Sequence, residues 1–185
     1  MKSIRLMPGK ERSLQRRHPW VFAGSVAGGK ADPGETVRVE AADGSFLAWG
    51  AYSGSSSIRV RVWSFDEAER IDAAFFQRRI ARAVALRARL PIASNGMRLV
   101  HGEADGLPGL VVDRYGDLLS VQFLAAGSER WKDLLADQLL ATTGATRLYE
   151  RSDVGVRQLE GLPQHVSPMT CCQSLCRGCN SIPWD

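Results

Sequence analysis

The chain has 185 residues, which allows one domain or two small ones, and its 44% hydrophobic content is ordinary for a globular protein. Its net charge is +4, and 20 of its 24 basic residues are arginine, which binds phosphate in a bidentate fork and stacks on bases, so a polyanionic partner is favoured. No window approaches about 18 uninterrupted apolar residues and the N-terminus lacks the apolar block of a signal peptide, so we expect a cytoplasmic protein without a membrane partner.

A short basic helix of about two turns is predicted between residues 10 and 17. Pro19 ends it, because proline lacks an amide hydrogen and biases the preceding residue away from helical angles. The next strand begins with Trp20. Guanidinium groups beside an aromatic ring suit a phosphate backbone with an unstacked base nearby; the alternative is a solvated basic turn whose aromatic side chains enter the core. The cations of this helix are Lys10, Arg12, Arg16 and Arg17.

Short strands with turn signals continue to about Phe65. Residues 35–40 alternate with period two and form a predicted hairpin with residues 46–52 across the turn at 42–45. In the next strand, residues 57–63, alternation places Ile58, Val60 and Val62 on one face and Arg59, Arg61 and Trp63 on the other. The second face is either solvated, as is usual in antiparallel sheets, or an RNA-binding surface.

A second unit of helices and strands follows a boundary between residues 65 and 71. Its first helix, residues 71–90, has an apolar stripe and five arginines, with no acidic residue between Asp72 and Glu103, so its polar face is either solvated or directed at nucleic acid. Strands are predicted at residues 97–100, 110–112, 118–124 and 146–150. A second long helix is predicted from Ser128 to Thr142.

The chain changes character after Glu160. Residues 161–185 lack periodicity and contain all four cysteines, which are Cys171, Cys172, Cys176 and Cys179. This clustering is not a disulfide framework, and it lacks the paired spacing of a structural zinc site. We therefore expect no metal site.

Three segments resemble one family when taken together: RRHPWVFAG at residues 16–24, GEADGLPGLVVDRYG at 102–116 and ERSDVGVR at 150–157. They are similar to the N-terminal half of the class I S-adenosylmethionine-dependent 23S ribosomal RNA large-subunit cytosine-5 methyltransferases. The similarity covers residues 2 to about 160 in order and spacing, and it is specific because three unrelated patterns agree.

The resemblance implies an α+β protein with an N-terminal PUA domain, a small RNA-binding β-barrel at residues 1–68, followed by a central α+β domain at 69–160. The family's methyltransferase domain binds the methyl donor in a Gly-rich strand-to-helix turn and attacks cytosine with a cysteine thiolate, and neither motif occurs here. We therefore expect no catalytic or cofactor-binding residue in this chain, with S-adenosylmethionine serving the full-length family. Residues 161–185 depart from the family, and we expect an irregular tail from truncation or a frame shift.

The leading hypothesis is the RNA-binding portion of a ribosomal RNA methyltransferase, inactive alone, with ribosomal RNA as partner and a role in rRNA processing. One alternative is a component of an active transferase whose catalytic domain is supplied elsewhere. Another uses His18, His101, Glu103 or Asp105 in acid–base or metal chemistry, although carboxylates in Gly-rich loops more often cap turns. The oligomeric state stays open, with a homodimer as one alternative. The predicted RNA-binding residues are Lys10, Arg12, Arg16, Arg17, Trp20, Arg59, Arg61 and Trp63.

Overall fold

The computed structural model describes residues 2–169. Six strands and one short helix form its N-terminal part: β1 (Ser3–Leu6), α1 (Arg12–Gln15), β2 (Trp20–Phe22), β3 (Val26–Gly28), β4 (Thr36–Glu40), β5 (Phe46–Tyr52) and β6 (Ile58–Ser64). The strands make one curled sheet, a half-barrel in the order β2-β6-β5-β4-β1-β3. β2 therefore lies at an edge of the sheet and pairs with β6 alone.

The core of the half-barrel follows the predicted alternation. β4 and β5 are antiparallel, which confirms the hairpin, and Val37 and Val39 of β4 are fully buried. Val60 and Val62 of β6 join them, because period-two alternation turns their side chains to the same face.

α1 is a single turn, so the predicted length of about two turns is wrong. The side chain of its N-cap residue, Glu11, accepts no hydrogen bond from the backbone of the first turn, so the helix lacks a stabilising cap. At the other end, Arg17 adopts a left-handed φ of 60°, which removes it from the helix before Pro19 is reached.

A five-stranded sheet with helices forms the second part of the described chain. Its elements are α2 (Ala73–Ala88), β7 (Gly96–His101), β8 (Leu110–Tyr115), β9 (Leu118–Phe123), α3 (Ala126–Arg130), α4 (Lys132–Thr143), β10 (Arg147–Ser152), α5 (Val156–Leu159) and β11 (His165–Met169). The strand order is β11-β10-β9-β8-β7, with β9 and β10 parallel and the other pairs antiparallel. The α+β class is confirmed, whereas the boundary at residues 68 and 69 stays a prediction.

The long helices of this second part begin and end for local chemical reasons. The Asp72 side chain caps α2 by accepting a hydrogen bond from the backbone of Phe75 at 3.0 Å. Gly144 ends α4 in the left-handed conformation, with φ of 67°. The single helix predicted from Ser128 is instead α3 and α4, because Ser128 is buried inside α3 and its hydroxyl contacts the carbonyl of Gly109.

The expected irregular tail is wrong for part of its length. His165–Met169 forms β11, which pairs antiparallel with five residues of β10. The segment lacks hydrophobic alternation, but backbone hydrogen bonding suffices for an edge strand, where even Pro168 is tolerated. The prediction for residues 170–185, including the four cysteines, lies outside the described residues.

The two parts meet at a close-packed seam. Trp63 at the end of β6 lies in the same apolar cluster as Phe75 and Phe76 of α2. A Cβ at Gly127 of α3 would lie only 2.4 Å from the Cβ of Ala51 and 2.8 Å from the Trp63 ring, so glycine is needed there. Within residues 2–169 no helix is both long and apolar enough to cross a bilayer.

Candidate nucleic-acid interface

Four cations cluster at α1. Lys10, Arg12, Arg16 and Arg17 are all exposed, and none forms an ion pair with another residue in the described range. The guanidinium of Arg17 lies 5.4 Å from the centroid of the Phe65 ring. Because no carboxylate of residues 2–169 neutralises these side chains, the cluster is a site of uncompensated positive charge that can bind phosphate.

An aromatic cluster follows these cations in the chain, with His18 just before the edge strand β2 and Trp20 and Phe22 on it. The ring centroids of His18 and Trp20 are 5.7 Å apart, and those of Trp20 and Phe22 are 6.3 Å apart, both edge to face. Trp20 is fixed, because its Nε1 donates to Glu103 at 2.7 Å and Arg61 lies over its ring. Sequence analysis missed the exposed Phe22, although its i, i+2 spacing from Trp20 places both on one face.

The outward face predicted for β6 is covered. Trp63 is only 3% exposed, so it is not available to stack on a base. Arg61 forms ion pairs with Glu103 at 2.8 Å and Glu160 at 3.1 Å, with 13% of its side chain exposed. Arg59 donates to backbone carbonyls of the 53–54 loop. The prediction of an open RNA-binding face is therefore wrong for Arg61 and Trp63, because the second part of the chain packs on that side.

The arginine-rich face of α2 is partly neutralised. Arg78 and Arg79 bind Glu69 at 3.1 and 3.3 Å. Burial raises the pKa of the Glu69 carboxyl, but a hydrogen bond from Ser64 and the two guanidinium groups outweigh it and hold that pKa below its ordinary value. Of the other arginines of this segment, Arg82 and Arg89 are exposed and form no ion pair in the described range, and they lie seven residues apart in the chain.

The carboxylates considered for acid–base chemistry have structural partners. Glu103 binds Trp20 and Arg61, as described above. Asp105 binds Arg87 at 2.5 and 2.8 Å and accepts a hydrogen bond from the backbone of His101 at 2.7 Å. In the described range no three histidine, cysteine or carboxylate side chains are placed to hold a metal ion.

Replacing Glu103 should loosen the contact between β2 and the second part of the chain. Glu103→Ala removes the partner of the Trp20 indole and one partner of Arg61, and we expect a loss of about 1.5–3 kcal/mol in the free energy of unfolding, as for hydrogen bonds to charged groups. Urea denaturation measures it. The control Glu67→Ala removes a carboxylate that is 60% exposed and pairs with Arg38, and should cost less than about 1 kcal/mol. Equal losses would contradict the structural role of Glu103.

The chain is similar to known proteins over most of its length. The family model described as "PUA-like domain" matches residues 4–65. Ribosomal RNA large subunit methyltransferase I from Shewanella denitrificans is 51% identical over 164 residues, which cover 86% of this chain and 41% of that protein. The protein of the same name from Aliivibrio fischeri is 48% identical over 166 residues, which cover 88% and 42%. The chain thus spans about two fifths of the length of these curated relatives.

Solved structures show the same fold at low sequence identity. A SAM-dependent methyltransferase from Streptococcus mutans matches with a TM-score of 0.74 at 14% identity, over 94% of this chain and 44% of that one. A methyltransferase complexed with SAH matches with a TM-score of 0.71 at 15% identity, over 82% and 40%. The predicted fold, a PUA-like β-domain followed by a small α+β domain, is therefore confirmed.

Proposed function

We propose that this chain is the RNA-binding portion of a ribosomal RNA large-subunit methyltransferase and that it contacts RNA through the α1 cations. One observation carries the proposal: four exposed cations without ion pairs in the described range lie together inside the segment that matches the PUA-like model. Elsewhere in this segment, Arg38 and Arg61 are paired with carboxylates. A cluster of exposed cations without carboxylate partners is typical of a surface that binds a polyanion.

The chemistry of the longer protein belongs to the same proposal. The relatives are ribosomal RNA methyltransferases by name. The resemblance of residues 16–24, 102–116 and 150–157 to the cytosine-5 methyltransferases favours transfer from S-adenosylmethionine to C5 of a cytosine. The parts that bind the donor and attack the base would lie in the portion of those relatives that this chain does not cover. In a complete enzyme, the role of residues 2–169 is to bring the RNA substrate to that site. Because the proposed substrate is ribosomal RNA, we expect the protein in the cytoplasm.

Removing two α1 cations should weaken RNA binding in a salt-dependent way. Each phosphate contact to single-stranded RNA adds roughly 0.7 to the magnitude of the slope of log affinity against log salt concentration. Arg16→Ala with Arg17→Ala should therefore lessen that slope by about one to one and a half. Fluorescence anisotropy of a labelled single-stranded RNA at several salt concentrations measures it.

A charge-matched variant is the control. Arg147→Ala with Arg151→Ala also removes two arginines whose side chains are about half exposed, but these pair with Asp117 and Asp153 in the second part of the chain. It should leave the slope close to that of the unmodified chain. If both double variants change the slope equally, binding depends on net charge alone, and the α1 site is wrong.

A further inference from the structure

We infer that Phe22 is a stacking platform for one unpaired RNA base, with the α1 cations holding the flanking phosphates. This inference rests on the proposed RNA binding and deepens it, because it assigns a contact to a nucleobase. Phe22 is 46% exposed, and it is the one exposed phenylalanine, tryptophan or tyrosine among residues 2–68. Every base has an aromatic face, so such a ring binds bases with little dependence on sequence.

The Phe22 ring is held in place by its neighbours on β2 and by the pairing of β2 with β6. Val21, between the two aromatic residues of β2, is buried, and the strand pairs with β6. Trp20 meets the Phe22 ring edge to face and is fixed to the second part of the chain through Glu103. On the open edge, the backbone N–H of Trp20 donates to Nδ1 of His18 at 3.3 Å. A preorganised ring loses little conformational entropy when a base stacks on it.

The charge around the ring favours nucleic acid. Arg16 and Arg17 lie six and five residues before Phe22, respectively, and are exposed without ion pairs in the described range. Sites for single-stranded RNA combine cations that bind the backbone with aromatic rings that stack on the bases. A protein partner fits less well, because Met7 and Phe22 are the two large apolar side chains exposed among residues 2–68, too few for the core of a stable protein interface.

The test compares three variants of the full chain. Phe22→Ala removes the ring, Phe22→Leu keeps apolar area without an aromatic face, and Tyr115→Ala removes an aromatic side chain, 58% exposed, from the second part of the chain. Each is titrated with a short single-stranded RNA that carries one fluorescent adenine analogue, and with inorganic polyphosphate, which has no bases. Circular dichroism checks that each variant is folded.

A specific pattern is expected. Phe22→Ala should weaken RNA binding about 5- to 150-fold, the range measured for one stacked base, without changing the salt slope. Phe22→Leu should lose nearly as much, Tyr115→Ala should lose little, and all three should bind polyphosphate as the unmodified chain does. Stacking should also quench the analogue, and Phe22→Ala should remove the quenching.

Two failures are distinguishable. If the unmodified chain binds RNA and Phe22→Ala binds it equally well, the stacking platform is wrong while RNA binding by α1 stands. If the unmodified chain binds no RNA, the proposed function fails and the platform fails with it. Equal weakening of polyphosphate and RNA binding by Phe22→Ala would also overturn the inference, because a base contact cannot affect a ligand that has no bases.

Discussion

Trp63→Ala should destabilise the protein by about 3–5 kcal/mol, the range for removing a large aromatic side chain from a core. Trp63 is 3% exposed, and its ring centroid lies 5.3 Å from that of Phe76 and 6.5 Å from that of Phe75. Because Gly127 packs directly on the ring, its removal opens a cavity at the seam between the two parts of the chain. Urea denaturation followed by circular dichroism measures the loss.

Trp63→Phe is the matched control for this prediction. The Nε1 of Trp63 is buried without a hydrogen-bond partner in the described range, so phenylalanine keeps much of the packing and removes an unsatisfied donor. It should recover much of the stability that alanine loses. RNA affinity of the folded alanine variant should match that of the unmodified chain, because the ring does not reach the surface. A specific loss of RNA affinity with unchanged stability would instead restore Trp63 as an RNA-binding residue.

Arg157→Leu is expected to cost a similar amount, about 3–5 kcal/mol, because it removes three hydrogen bonds made by a completely buried guanidinium, and hydrogen bonds from charged groups contribute more than neutral ones. The side chain of Arg157 is completely buried and joins several elements of the second part of the chain. Its Nε donates to the carbonyl of Pro163 at 2.7 Å, and its Nη1 donates to Glu129 at 2.8 Å and to the carbonyl of Phe123. Without it, the carbonyl of Phe123 loses its donor in the interior, and Glu129, whose side chain is 28% exposed, loses its buried partner.

Arg151→Ala separates this effect from a general effect of charge. Arg151 lies six residues earlier, but its side chain is 53% exposed and its pair with Asp153 is at the surface. It should cost less than about 1 kcal/mol. Should urea denaturation give Arg157→Leu and Arg151→Ala the same free energy of unfolding, the buried role of Arg157 would be refuted.

The sequence predicted most strands correctly because their patterns are local. Alternation in residues 35–40 and 57–63 identified the buried face of the half-barrel. The segment at 150–157, which carried part of the family resemblance, proved structural: Glu150 and Arg157 are both completely buried.

What the sequence could not show is which element covers each face. Alternation places Trp63 opposite Val62, but whether that side meets water or another domain depends on contacts between residues far apart in the chain, such as Arg61 with Glu160. β11 was missed for a similar reason, since its pairing with β10 uses backbone groups that every sequence has. The cations of α1 were predictable, because the residue types alone show the charge, whatever residues lie nearby in the fold.

Ultraviolet cross-linking of single-stranded RNA to the full chain tests the position of the RNA-binding site most directly. A protease that cleaves after glutamate releases residues 12–35, which contain α1 and β2, separately from residues 70–103, which contain α2. Mass spectrometry should find the cross-linked nucleotides in the first of these peptides. Cross-links confined to residues 70–103 would contradict RNA binding at α1 and move the interface to the arginines of α2.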